Sequence, residues 1–199
     1  PETMLRKTYL RGSSRVQRYF REKNFLRFCG RRGITCVPEL VEFDDLNQTI
    51  TLARVSGQRP TVIQDRHVFL AASFIQQLNA PNQIDDVTVG WPATDATWSP
   101  IQFWDDVSRR VEFLRQNPDF SANSTLRLVE NYLNHYGLDD LGVLHKIATV
   151  RAPEIFSRRV ISPSDFGFHN CLEQQSRLTF LDFEYAGLDS PLKLVGDFG

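Results

Sequence analysis

The sequence predicts an α+β protein in two lobes: a small lobe mixing strands with one helix, then a larger, mainly helical lobe. Three observations predict it. Short strand-like stretches flank one long amphipathic segment before residue 56. The run Ser56-Gly57-Gln58-Arg59-Pro60 then has the composition of a linker. Beyond it, apolar residues recur at helical spacing in three separate stretches. The lobes are therefore expected at residues 1–56 and 57–199.

Taken in order, Met4 to Tyr9 reads as a short strand. Ser13 and Ser14 are candidate caps for a helix from about Arg15 to Arg31. On that helix Tyr19, Glu22, Leu26 and Cys29 share one face by their i, i+3, i+4 spacing. Glu22 thus sits on the inward stripe, and an unpaired buried carboxylate is costly, so a cationic partner is expected. Gly33 ends the helix, and Val37-Pro38 leads into a strand near Leu40 to Phe43. Asp44-Asp45-Leu46-Asn47-Gln48 has hairpin-turn chemistry, with Thr49 to Val55 returning. The later stripes are Val68, Ala71, Ala72, Ile75 and Leu78; then Trp104, Val107, Val111 and Leu114; then Leu126, Val129, Leu133 and Tyr136. Asn79 to Pro100 is a long connection, and short strands return after Val160.

Composition narrows the function. With 41% hydrophobic residues and a formal net charge of -1, the chain is an ordinary globular protein, and neither nucleic-acid nor membrane binding is expected. The arginines between Arg11 and Arg32 read first as a solvated helix face and otherwise as a phosphate contact. Three widely spaced cysteines, Cys29, Cys36 and Cys171, form no Cys-x-x-Cys pair, so free thiols in a reducing compartment are expected. No apolar run approaches membrane-spanning length and the start does not resemble a signal peptide, which points to the cytoplasm.

The chemistry concentrates near the C-terminus. Asp165 is followed five positions later by Asn170, then by Asp182 after a polar turn and an apolar strand. Phosphoryl transfer to a hydroxyl needs such a set: one carboxylate at the acceptor, and an amide oxygen with a second carboxylate on the Mg²⁺ that bridges the nucleotide phosphates. Asp165-Phe166-Gly167 and Asp197-Phe198-Gly199 both spell the metal-binding triplet of protein kinases. Residues 142–160 hold neither Asp nor Asn, so Asp165 has no catalytic Asp upstream of it, and no apolar strand immediately precedes Asp197. The order that works makes Asp165 the base and Asp182 the metal ligand.

Ser164-Asp165-Phe166-Gly167-Phe168-His169-Asn170 and Leu181-Asp182-Phe183-Glu184-Tyr185-Ala186-Gly187, followed by Asp189-Ser190-Pro191, resemble the aminoglycoside phosphotransferase and choline kinase-like family. The resemblance runs from Met4 to Phe198 and implies a protein-kinase-like two-lobe fold with ATP and Mg²⁺ as cofactors and a small-molecule hydroxyl as acceptor. It implies that Asp165 is the catalytic Asp and that Asn170 and Asp182 bind metal. Lys7 resembles the strand lysine on the nucleotide phosphates, with Arg6 the alternative one residue away, and Glu22 resembles its helix partner. Ala53 to Val55 is then the segment whose backbone meets the adenine ring. His169 reads as a loop support, and Glu184 and Asp189 as loop-shaping residues or contacts for a cationic acceptor. Two departures stand out. Pro163-Ser164 replaces the family's usual His-Gly, and the chain begins almost at the lysine strand, implying an N-terminal lobe truncated before its phosphate loop. These favour the alternative of a weak or inactive kinase-like binding protein.

Overall fold

The computed structural model describes residues 3–9, 12–80, 90–116, 131, 135 and 158–198. The chain falls into two compact units, residues 1–96 with 159–199, and residues 97–158. The third apolar stripe, Leu126 to Tyr136, lies outside the described residues, as do the side chains of the second. Within the second unit, a helix spans Pro100–Gln116 (α3).

The first unit opens with an antiparallel sheet of β1 (Met4–Thr8), β2 (Leu40–Asp44) and β3 (Thr49–Ala53), in the order β1-β3-β2. The hairpin turn forms because Asp44 Oδ1 accepts the N–H groups of Leu46 at 2.8 Å and Asn47 at 3.0 Å. Ile50 and Leu52 of the central strand are buried against helix α1 (Ser13–Arg31). Tyr19, Glu22, Leu26 and Cys29 are all buried, joined by Phe25 and Phe28. The helix starts at Ser13 with Gly12 at the cap, so the two serines lie in its first turn rather than ahead of it. It ends in a Schellman motif: Gly33 takes φ 66°, its N–H meets Gly30 O at 3.1 Å, and Ile34 N–H meets Cys29 O at 3.0 Å.

Helix α2 (Asp65–Leu78) corrects the expected stripe. His67, Ala71, Phe74 and Leu78 are buried, whereas Val68 and Ala72 are exposed. Phe74 decides the face, stacking on Phe180 at 5.0 Å with the rings 9° apart. His67 faces inward because its Nδ1 accepts the Gln64 N–H at 3.1 Å and caps the helix. The expected lobe boundary at residues 56 and 57 falls inside this first unit. Gln58 exchanges two backbone hydrogen bonds with Glu173, at 2.8 and 3.1 Å, tying the linker to β5.

The C-terminal part comprises β4 (Val160–Ser162), paired with β7 (Gly187–Asp189), and β5 (Cys171–Gln174), paired with β6 (Arg177–Phe180). Helix α4 (Pro191–Gly196) follows, capped by Ser190. A Cβ on Gly187 would lie 2.4 Å from Ala93 N and 2.6 Å from Pro92 C, both backbone atoms. Gly187→Ala is therefore expected to cost about 2 kcal/mol and about 4–8 °C in thermal midpoint. An unchanged melting curve would refute this packing.

All three cysteines are free, and burial pushes each thiol above its ordinary pKa, Cys36 up to about 11. Among the described residues no helix is long and apolar enough to cross a membrane.

Candidate active site

Strand alternation places Arg6 and Lys7 on opposite faces of β1. Arg6 Nη2 lies outward, 3.5 Å from Thr49 Oγ1. Lys7 Nζ lies 2.7 Å from Glu22 Oε2 and 2.6 Å from Asp182 Oδ1, with Glu184 Oε2 at 3.6 Å. Geometry thus separates the two basic residues. Glu22 is 2% exposed, and Lys7 is the cation that its burial demands. The Tyr9 hydroxyl donates to the same Glu22 oxygen.

The electrostatics follow from this packing. Burial pulls the Lys7 ammonium down, but Glu22 and Asp182 together outweigh it and hold the pKa above the usual lysine value. Burial raises the Glu22 carboxyl, against the opposing pull of Lys7 and Tyr9. The Tyr9 phenol is raised by burial and then by Glu22, so it stays a donor.

The second group sits on the loops around β5 and β6. Asn170 closes a short 3₁₀ turn (Phe168–Asn170), and its Nδ2 donates to Asp165 O at 3.0 Å and Asp165 Oδ2 at 3.2 Å. Leu181 N–H donates to Asn170 O at 2.8 Å, so the β5–β6 hairpin sets Asn170 directly beside the residue preceding Asp182. Asp182 takes φ 65° and Ser164, just before Asp165, takes φ 57°. Both are left-handed conformations that non-glycine residues adopt at a cost, and such strain gathers at functional loops.

The donor set fits a hard divalent cation. Asn170 spends its amide N–H groups on Asp165, which leaves the amide oxygen as its acceptor. The Asp182 side chain is 43% exposed, the most open of the three carboxylates around Lys7. Lys7 and Arg18 face Glu22, Asp182 and Glu184, two cations against three anions. One negative charge is left over, and oxygen ligands are what Mg²⁺ takes.

Lys7, Glu22, Ala53, Val55, Leu172 and Asp182 line one cleft of about 540 Å³. That volume suits a small ligand. Asp165 and Asn170 are not among its lining residues and connect to it through Leu181. His169 Nε2 lies 3.2 Å from Asp165 Oδ1. Asp189 is buried, its Oδ1 accepting the Ser190 N–H at 2.7 Å at the start of α4, and Asp197 pairs with Lys193 at the end of that helix. Three partners were not legible in the sequence: Tyr9 on Glu22, Arg18 on Glu184, and Glu184 on Lys7. The i, i+4 spacing of Arg18 and Glu22 puts Arg18 on the same helix face but points to Glu22 as its partner, where the structure has Glu184.

The strand lysine, held by a helix glutamate and by Asp182 on the loop after β6, stands in a fold shared with solved structures of kinases and phosphotransferases. An ADP-bound aminoglycoside phosphotransferase, APH(2'')-Ib, superposes with TM-score 0.59 at 17% identity over 97% of this chain and 63% of its own. A choline/ethanolamine kinase family protein from Mesorhizobium loti gives 0.56 at 13% identity, over 99% of this chain and 57% of its own. The macrolide 2'-phosphotransferase MphH from Brachybacterium faecium gives 0.56 at 13% identity, over 98% and 64%. This chain therefore spans about three fifths of the length of those structures. No family model matches the sequence, and no curated protein matches it. The resemblance to the aminoglycoside phosphotransferase and choline kinase-like family holds in three dimensions, as a shared fold.

Proposed function

We propose that this chain carries the site of an ATP- and Mg²⁺-dependent phosphotransferase acting on a hydroxyl group of a small molecule. The observation that carries the reading is the Lys7 ammonium, shared between buried Glu22 on α1 and Asp182 on the loop after β6, at the wall of a ligand-sized cleft. The shared fold with small-molecule phosphotransferases supports it.

Each residue then has a task. Glu22 and the Tyr9 hydroxyl hold Lys7 toward the phosphates of ATP. The backbone from Ala53 to Val55 meets the adenine ring, with Leu172 and Leu52 as apolar walls of the same cleft. Asn170 and Asp182 would hold Mg²⁺, which when bound neutralises phosphate charge and orients the terminal phosphoryl group. Asp165 accepts the proton of the attacking hydroxyl, or aims that hydroxyl, and Asn170 and His169 keep its two oxygens in place. Most of the rate would come from positioning and charge neutralisation. Residues 1–56 serve as the nucleotide lobe in this reading, and the free thiols support a cytoplasmic setting.

A thermal-shift titration with ATP, with and without Mg²⁺, tests the binding half. Stabilisation of about 2.7 kcal/mol is expected at a hundredfold excess of ATP over its dissociation constant, and only with the metal. Absence of any shift under both conditions would sink the reading. A phosphate-transfer screen against aminoglycosides, choline-like amines, sugars and amino alcohols tests the chemical half. Metal-dependent binding with transfer to none of them would favour a non-catalytic kinase-like protein.

A further inference from the structure

Helix α1 meets the loop after β6 along a charged seam. Glu184, its side chain 14% exposed, presents its two oxygens to two cations. Oε1 accepts from Arg18 Nη1 at 3.1 Å, and Oε2 lies 3.6 Å from Lys7 Nζ. Arg18 stands one turn before Glu22, with its guanidinium 4.8 Å from the centre of the Tyr185 ring. One turn after Glu22, Phe25 stacks on Phe183 at 4.5 Å. Residues 18, 22 and 25 thus bring three successive turns of one helix face to the segment 182–185.

We propose that Arg18 is a positioning residue for the nucleotide site: it neutralises Glu184, so that the unbalanced negative charge stays on Asp182. The inference rests on the phosphotransferase reading above and assigns a task to a residue that reading does not use. Without Arg18, three carboxylates would share one ammonium. Glu184 would then compete with Glu22 for Lys7, turning the ammonium away from the phosphates, and with Asp182 for a divalent cation. Arg18 suits the task because the flat fork of a guanidinium both stacks on Tyr185 and binds a carboxylate.

The test compares wild type with Arg18→Met, which keeps an apolar stem over Tyr185, and with the double variant Arg18→Met, Glu184→Gln. The readout is apparent ATP affinity at saturating Mg²⁺, from the nucleotide-dependent thermal shift. Affinity should fall about tenfold in Arg18→Met and return to within about threefold of wild type in the double variant, because the stranded carboxylate is gone. Arg18→Lys should hold most of the affinity. A merely structural arginine would lower the melting point without ligand, and the Glu184 change would repair nothing. Equal ATP affinity in wild type and Arg18→Met overturns the proposal and leaves the phosphotransferase reading standing, as does a loss that the double variant fails to repair. A wild type that does not bind ATP with Mg²⁺ removes both. Should the methionine variant fail to fold, Arg18→Gln gives the same comparison.

Discussion

Asp165→Ala is expected to lower the turnover of phosphate transfer about a thousandfold while leaving Mg²⁺-dependent ATP binding in place. The two halves come from its position. The side chain is half exposed on a loop and does not line the cleft that holds Lys7, Glu22 and Asp182, so its loss removes neither core packing nor a wall of that cleft. Its oxygens are held by His169 at 3.2 Å and Asn170 at 3.2 Å, which would present them to a hydroxyl in the proposed reaction. The measurement is steady-state transfer to an acceptor found in the screen, beside the ATP thermal shift of both proteins. Equal turnover in variant and wild type would remove Asp165 from the chemistry.

Lys7→Met should act on stability and binding together. It leaves Glu22, 2% exposed, with the Tyr9 hydroxyl but without its cation, beside Asp182 and Glu184. Breaking a buried ion pair costs about 3–5 kcal/mol. Lys7 keeps 31% of its side chain in water, which places the loss near about 2–3 kcal/mol. The pH dependence has a defined sign. Burial already raises Glu22, and removing Lys7 raises it further, so the folded variant binds a proton more readily than the unfolded chain. The variant's stability should therefore fall as pH rises from the ordinary carboxyl value through the raised one, and its deficit against wild type should shrink on acidification. In wild type, the stabilisation from the raised Lys7 is complete below the ordinary lysine value and lost only as pH rises through the folded one. Denaturant melts across pH check both slopes. The double variant Lys7→Met, Glu22→Leu should recover stability without recovering ATP binding, since an apolar pair can replace a buried ionic one in packing but not on a phosphate. A Lys7→Met protein as stable as wild type at pH 8 would show that the pair is not what holds Glu22.

Local chemistry was legible. Asp44 and its neighbours specify the turn of the β2–β3 hairpin, Gly33 specifies the end of α1, and the spacing of Tyr19, Glu22, Leu26 and Cys29 specifies which face of that helix is buried. The α2 stripe held at Ala71, Ile75 and Leu78 and missed at Val68 and Ala72, for a physical reason. Val68 and Ala72 match a helical period as well as His67 and Phe74 do, and the face is chosen by the distant rings of Phe166, Phe180 and Phe183 around Phe74 and by the His67 cap on Gln64. Between Lys7, the residue chosen from the sequence, and Arg6, its alternative one position away, local spacing left one residue of slack, and Glu22 and Asp182 close on Lys7.

By itself the sequence determined the types of donor present and their local order: a lysine in a strand, a glutamate on a buried helix stripe, an Asp–Asn pair in one loop and a second Asp after a hairpin. Those follow from backbone periodicity and turn preference, which act over a few residues. The tertiary structure alone decided which of them share a charge. Lys7 and Asp182 stand 2.6 Å apart across 175 positions of chain, and Arg18 reaches Glu184 across 166. Coulomb energy depends on distance in space and on burial, and neither is written in the spacing of letters.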